Sequence, residues 1–130
     1  MPRSAKLPAV VYAWVRSDRP QDSSLIDDYA RMCRFVITRR FVDRAGSRPG
    51  RQLQAMLAYL RQNSRCRVLL VEKTYGVYRE LLRDVDGAAL LQRGLQVHVV
   101  RENVVVFVST APRRKFIRQV AGHMRRSALR

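Results

Sequence analysis

No stretch of this chain approaches the roughly 20 apolar residues that a membrane span requires, so a helical membrane protein is excluded. Acidic residues are scarce, with 10 Asp+Glu against 26 Lys+Arg, a net charge of +16. Cysteine is nearly absent too. Cys33 and Cys66 stand far apart in apolar contexts and read as buried free thiols of a cytosolic protein, not as a disulfide framework. The two histidines, His98 and His123, are isolated, and no pair of ligand-type residues has metal-site spacing, so neither a metal nor another cofactor is expected. Internal repeats and low-complexity tracts are missing, which removes solenoids and fibrous folds. The opening residues show no signal-peptide pattern, because Pro8 and Arg16 flank a segment that reads as a strand.

What is present is an ordinary globular composition, 47% apolar over 130 residues, enough for one domain with a real hydrophobic core. The basic excess costs self-repulsion and favours a polyanionic partner, most simply DNA or RNA. A solvated surface serving solubility is the plain alternative.

Along the chain, residues 1–8 are polar, hold two prolines and read as a loose leader. Val10 to Val15 is a buried-strand pattern. Ser17 to Ser24 is a polar loop, and Ser24 with Asp27 opens a helix as a capping-box variant. Its apolar face is predicted at Leu25, Tyr29, Met32 and Cys33. Phe35 to Thr38 and Phe41-Val42 are β-prone. A loop over 43–50 precedes a helix with Leu53, Met56, Leu57 and Leu60 on one face. Val68 to Val71 reads as a parallel strand covered on both faces. A third helix is predicted with Leu82, Val85 and Ala89 on its core face and Gly94 as its C-cap. Val97 to Val100 and Val104 to Val108 are strand-like. The alternation predicts an α/β fold: a three-layer, mostly parallel sheet with helices on both faces. Arg113 to Arg130 carries seven Lys/Arg and no acid. With Phe116, Ile117, Val120 and Met124 as a stripe, it reads as a basic amphipathic C-terminal helix. The expected division is a leader at 1–8, a domain at 9–112 and this helix at 113–130.

One stretch says more than its periodicity. Val10-Val11-Tyr12-Ala13-Trp14-Val15-Arg16-Ser17-Asp18-Arg19 resembles the first strand and active-site turn of the serine recombinases, the resolvase/invertase family, where the pattern is Tyr-Ala-Arg-Val-Ser. Further blocks follow in order. Ser23-Ser24-Leu25 is similar to the opening of the family's first helix. Phe41-Val42-Asp43 with Ala45-Gly46-Ser47 resembles its Phe-x-Asp-x-Gly-x-Ser turn. Arg48-Pro49-Gly50 with Leu53, Met56 and Leu57 resembles its Arg-Pro-Gly-x-x-x-Met-Leu block. Val68 to Thr74 resembles the strand before its Asp-Arg-Leu-x-Arg loop. Gly94-Leu95-Gln96-Val97-His98 and Glu102-Asn103 resemble the strand and turn beyond. No block is specific alone; their order is. The segment between the first helix and Asp43 is about a dozen residues shorter than the family's.

The resemblance implies a resolvase-like fold whose serine attacks a DNA phosphate and forms a phosphoserine link, with an arginine cluster stabilising the pentavalent transition state. Here that chemistry is half missing. Arg16 stands at the nucleophile position, Trp14 replaces the strand arginine, and Tyr75-Gly76 replaces the Asp-Arg pair. Arg48 and Arg79 are retained. Ser17 is the candidate replacement nucleophile, against its simpler reading as a loop or capping hydroxyl. Arg16, Arg48 and Arg79 form a phosphate pocket or are plain exposed charges. Trp14 is a packing replacement or a stacking platform for a base. Arg19, Arg113, Arg114, Lys115, Arg118, Arg125 and Arg126 are candidate DNA-backbone contacts, which bind without reading sequence.

The leading expectation is therefore a catalytically inactive serine-recombinase-like module, cytoplasmic and nucleoid-associated when DNA-bound. Its expected partners are DNA, an active serine recombinase or a second copy of itself. The alternatives are an active recombinase subunit acting through Ser17 and a mobile-element remnant without function.

Overall fold

The computed structural model describes residues 6–15, 24–44, 50–73, 77–108 and 116–120. The chain order is β1 (Leu7–Val15), α1 (Ser24–Met32), β2 (Phe35–Arg44), α2 (Arg51–Gln62), β3 (Val68–Val71), α3 (Val77–Arg83), α4 (Val85–Gln92), β4 (Gln96–Val99), β5 (Val104–Val108) and β6 (Phe116–Val120). One six-stranded sheet has the order β2-β1-β3-β4-β5-β6. The β2-β1-β3-β4 part is parallel, and β5 and β6 are added antiparallel. The expected α/β class, with a mostly parallel sheet and helices on both faces, is what forms.

Strand alternation divides the core in two. Val10, Tyr12, Leu69, Val71, Val97 and Val99 face α2, α3 and α4, where they meet Leu53, Met56, Leu57, Leu60, Leu81 and Leu91. Ala9, Val11, Val68 and Leu70 face α1, meeting Ile26, Tyr29 and Ala30. All four predicted apolar positions of α2 are buried, each contributing gross burial of about 1.5–3 kcal/mol.

Four expectations are corrected. First, the leader is not wholly loose: Leu7 and Pro8 belong to β1 and pair with Phe35 and Val36. The Leu7 N–H donates to Arg34 O at 3.1 Å, so the next residue's nitrogen points away from β2. On that side β1 pairs with β3 only at Val10 and Val11, so Pro8 interrupts no ladder bond. Second, the α1 core face is Ile26, Tyr29 and Ala30, while Leu25 is exposed; the stripe is rotated by one residue. Cys33 is half-buried rather than buried, and the two cysteines are not joined in a disulfide.

Third, the single helix expected after β3 is two. Asp84, extended at φ −87° and ψ 131°, caps α4 by accepting from the N–H groups of Asp86 and Gly87, which breaks the run. The buried residues are accordingly Leu81, Leu90 and Leu91, whereas Leu82 and Val85 are exposed. Gly94 does terminate α4. Its N–H donates to Leu91 O at 3.1 Å, that of Leu95 donates to Leu90 O at 3.0 Å, and φ is +107°, a Schellman closure.

Fourth, the C-terminal segment is not helical where it is described. Phe116–Val120 is a strand paired antiparallel with β5, from Val104↔Val120 to Val108↔Phe116. A five-residue apolar-rich run fits either period, and the open edge of β5 decides it. The rest of the expected helix lies outside the described residues.

Candidate functional site

Strands β1, β2 and β3 are parallel and end at the same edge of the sheet. The chain leaves β1 through α1 on one face and leaves β2 and β3 through helices on the other. The gap between β1 and β3 is therefore the topological switch point, where open α/β sheets hold their ligands. In sequence, Arg16, Ser17 and Arg19 follow β1, and Arg48 follows β2. All four lie outside the described residues, as do Arg113, Arg114, Lys115, Arg125 and Arg126. Arg118 falls within β6, opposite Val106. Arg79 is in α3, the helix that follows β3, and is exposed. Among the described residues, the structure therefore brings Arg79 alone of the three catalytic candidates to this edge.

The side chains at the strand ends are legible. Trp14 is half-buried and packs against the core cluster on the α2, α3 and α4 face of the sheet, which favours its reading as a packing replacement. Asp43, near the end of β2, is the most heavily bonded carboxylate described. Its Oδ2 accepts the Tyr12 hydroxyl at 2.6 Å and the N–H groups of Gly50 at 3.0 Å and Leu53 at 3.1 Å. Its Oδ1 accepts Gln52 N–H at 3.0 Å. Burial alone would raise its pKa, but the Tyr12 hydroxyl and the N–H groups of Gln52, Gly50 and Leu53 outweigh it and hold the carboxyl below its ordinary range. Gly50 supplies no side-chain cap to α2, so Asp43 caps that helix from a neighbouring strand. The first N–H groups of α2 are thereby taken, and they offer little to an external phosphate.

Glu72, just past β3, is likewise engaged, accepting from the Arg101 guanidinium, with Nε at 3.0 Å. Arg44, Lys73 and Arg79 are exposed and form no ion pair among the described residues. The edge thus combines committed carboxylates with unpaired cations. That suits phosphate binding. No group of three His, Cys, Asp or Glu side chains is placed to hold a metal ion among the described residues. No helix there is long and apolar enough to cross a membrane.

His98, read as isolated, is fully buried on β4. The Tyr29 hydroxyl lies 2.6 Å from Nδ1 and Gln96 Oε1 lies 3.1 Å from Nε2. The tautomer satisfying both donates from Nε2 to Gln96 and accepts the Tyr29 O–H at Nδ1. Phe35 and Tyr29 meet the imidazole edge-on, with centroids 5.2 and 5.7 Å away. Burial pushes its pKa down to about 4. It belongs to the core under α1, not to the candidate site. His123 lies outside the described residues.

Sequence reasoning took Asp43 as one letter of a motif and missed its capping role. The available signal was Tyr12, a phenol in a central strand whose hydroxyl must find a partner. Set against known proteins, the chain matches no family model and none of the curated proteins.

Proposed function

We propose that this chain is a serine-recombinase-like module that has lost strand-cleavage chemistry and associates with DNA, alone or beside an active recombinase. The observation that carries the reading is the end of β1. The strand sits between β2 and β3 at the switch point, and the next residue in sequence, where the family it resembles has its nucleophile, is Arg16. The exposed cations Arg44, Lys73 and Arg79 at the same edge support contact with phosphate oxygens, which fixes a protein on a duplex without specifying sequence. With Asp43 and Glu72 both engaged, nothing described there is free to activate a hydroxyl. Within a cell this reading puts the protein in the cytoplasm, on the nucleoid when it is DNA-bound.

The test is a paired assay on the full chain. Fluorescence anisotropy with a random-sequence duplex measures binding, and denaturing electrophoresis after incubation with supercoiled plasmid detects covalent adducts. The expected result is salt-sensitive binding with no adduct and no nicking. An adduct that disappears in Ser17→Ala would overturn the inactive reading and identify an active recombinase subunit. Absence of binding even at low salt would remove DNA as the direct partner.

A further inference from the structure

A second basic feature lies at the opposite edge of the sheet, where β3 and β4 begin. A cavity of about 50 Å³ opens between the C-terminal ends of α2 and α4. Its buried lining is apolar, from Leu60, Leu90, Leu95 and Cys66. Its exposed lining is Arg61, Arg67 and Arg93, with Ser64 beside them. Such a volume holds a few waters or one tetrahedral oxyanion.

The first question is whether these arginines merely serve the helix ends, whose carbonyls carry partial negative charge. At α4 they are not needed. The backbone N–H groups of Arg93, Gly94 and Leu95 already donate to Ala89 O, Leu90 O and Leu91 O. At α2, the Asn63 side chain donates to Tyr59 O at 2.7 Å, and Cys66 N–H donates to Asn63 O at 2.9 Å. The Arg93 guanidinium has no hydrogen-bond or ion-pair partner among the described residues. Arg67 uses Nε toward Ser64 O at 3.3 Å, which leaves its two terminal NH₂ groups. Arg61 is paired with Asp86 at 3.3 Å, with both side chains about half exposed, a bridge of little strength. Arg61 also acts electrostatically on Asp84. Three cations against these two carboxylates still leave the mouth of the cavity net positive, and Cys66, its thiol pushed up by burial, adds no negative charge.

We infer that the Arg61–Arg67–Arg93 cavity is a binding site for a phosphoryl group, either free phosphate or a phosphate of a nucleic-acid backbone. Guanidinium forks on two or three sides match the geometry of a tetrahedral oxyanion, and the Ser64 hydroxyl supplies a further donor. The site is independent of the proposed role of the carboxyl edge, so failure of either leaves the other standing.

The test is an amide-resolved NMR titration of the full chain with inorganic phosphate at constant ionic strength. Saturable shifts are expected at residues 61–67 and 90–95. Arg67→Gln and Arg93→Gln should each weaken binding about tenfold, whereas Arg34→Gln, an exposed arginine just before β2, three strands across the sheet from β4, should leave it unchanged. All three side chains are exposed, so the variants retain the fold. Repeating the titration with a saturating DNA duplex assigns the source. Loss of the phosphate response there marks the site as a nucleic-acid contact, and its persistence marks it as a site for free phosphate. Linear shifts spread over exposed arginines, or saturable binding unaltered in the Arg67→Gln, Arg93→Gln double variant, would overturn the site.

Discussion

Asp43, half-buried at a strand end, and His98, fully buried in the core, are held by hydrogen bonds on different conditions: Asp43 must be charged to do its work and His98 must be neutral. Their pH dependences have the same sign. His98 has a folded pKa of about 4 against an ordinary 6.5, so between those values the unfolded chain binds a proton that the folded chain refuses. Stability is full above about pH 6.5 and falls as the pH drops toward 4, by about 3 kcal/mol at the lower end. Asp43, its pKa held down, contributes stability that is present above the ordinary carboxylate range and is lost as the pH falls through its folded value. The expected profile, measured by urea unfolding at successive pH values, is a decline beginning near 6.5 that continues below 4. In His98→Gln the upper part of the decline should vanish while the lower part remains. Asp43→Ala should cost about 2 kcal/mol at neutral pH, since it removes the cap of α2 and an acceptor of the Tyr12 hydroxyl. An unfolding midpoint unchanged from the parent would show that Asp43 does not cap α2.

At the scale of elements, what could be read from the chain depended on how local the determining interaction was. Leu53, Met56, Leu57 and Leu60 mark α2 by themselves, and Val68 to Val71 marks a doubly covered strand, because each pattern is complete within its own segment. The division of α3 from α4 was not legible that way, since Val85 suits a helix core and is exposed only because Asp84 turns the chain. Residues 116–120 were misread because the open edge of β5, not their own period, selects a strand. The candidate site was legible only as residues at strand ends. The arginine cavity was not legible, because it joins a helix end and two separate loops. Gly87 tests the packing of the α3–α4 corner. By helix propensity, Gly87→Ala should gain about 1 kcal/mol. An added Cβ, however, would lie 2.6 Å from Leu81 O and 3.0 Å from Leu81 Cα, both backbone atoms. Neither can swing aside as a side chain would, so the clash wins. The substitution is expected to destabilise by about 1–3 kcal/mol, and a rise in the urea midpoint would show that the corner is loosely packed.

The whole molecule carries +16, and this charge acts on folding and on binding in opposite senses. Self-repulsion among so many cations destabilises the compact state, and the few ion pairs described, such as Arg40 with Asp27 at 2.6 Å and Arg61 with Asp86, lie at the surface and offset little of it. Added salt screens the repulsion over a length that falls to about 8 Å at 0.15 M, so the thermal midpoint of the free protein should rise between low and moderate salt. Under the proposed DNA reading, affinity must move the other way. If the basic surface engages about six phosphates, the association constant falls roughly a thousandfold between 50 and 200 mM salt through loss of counterion release. Measuring both over one salt series separates two uses of the charge. A midpoint that rises while affinity collapses is expected of a surface whose cations are held close together for a polyanion at some cost to the fold. A rising midpoint with no measurable affinity at any salt would instead leave the basic excess as a solvated surface and remove the electrostatic basis of the DNA reading.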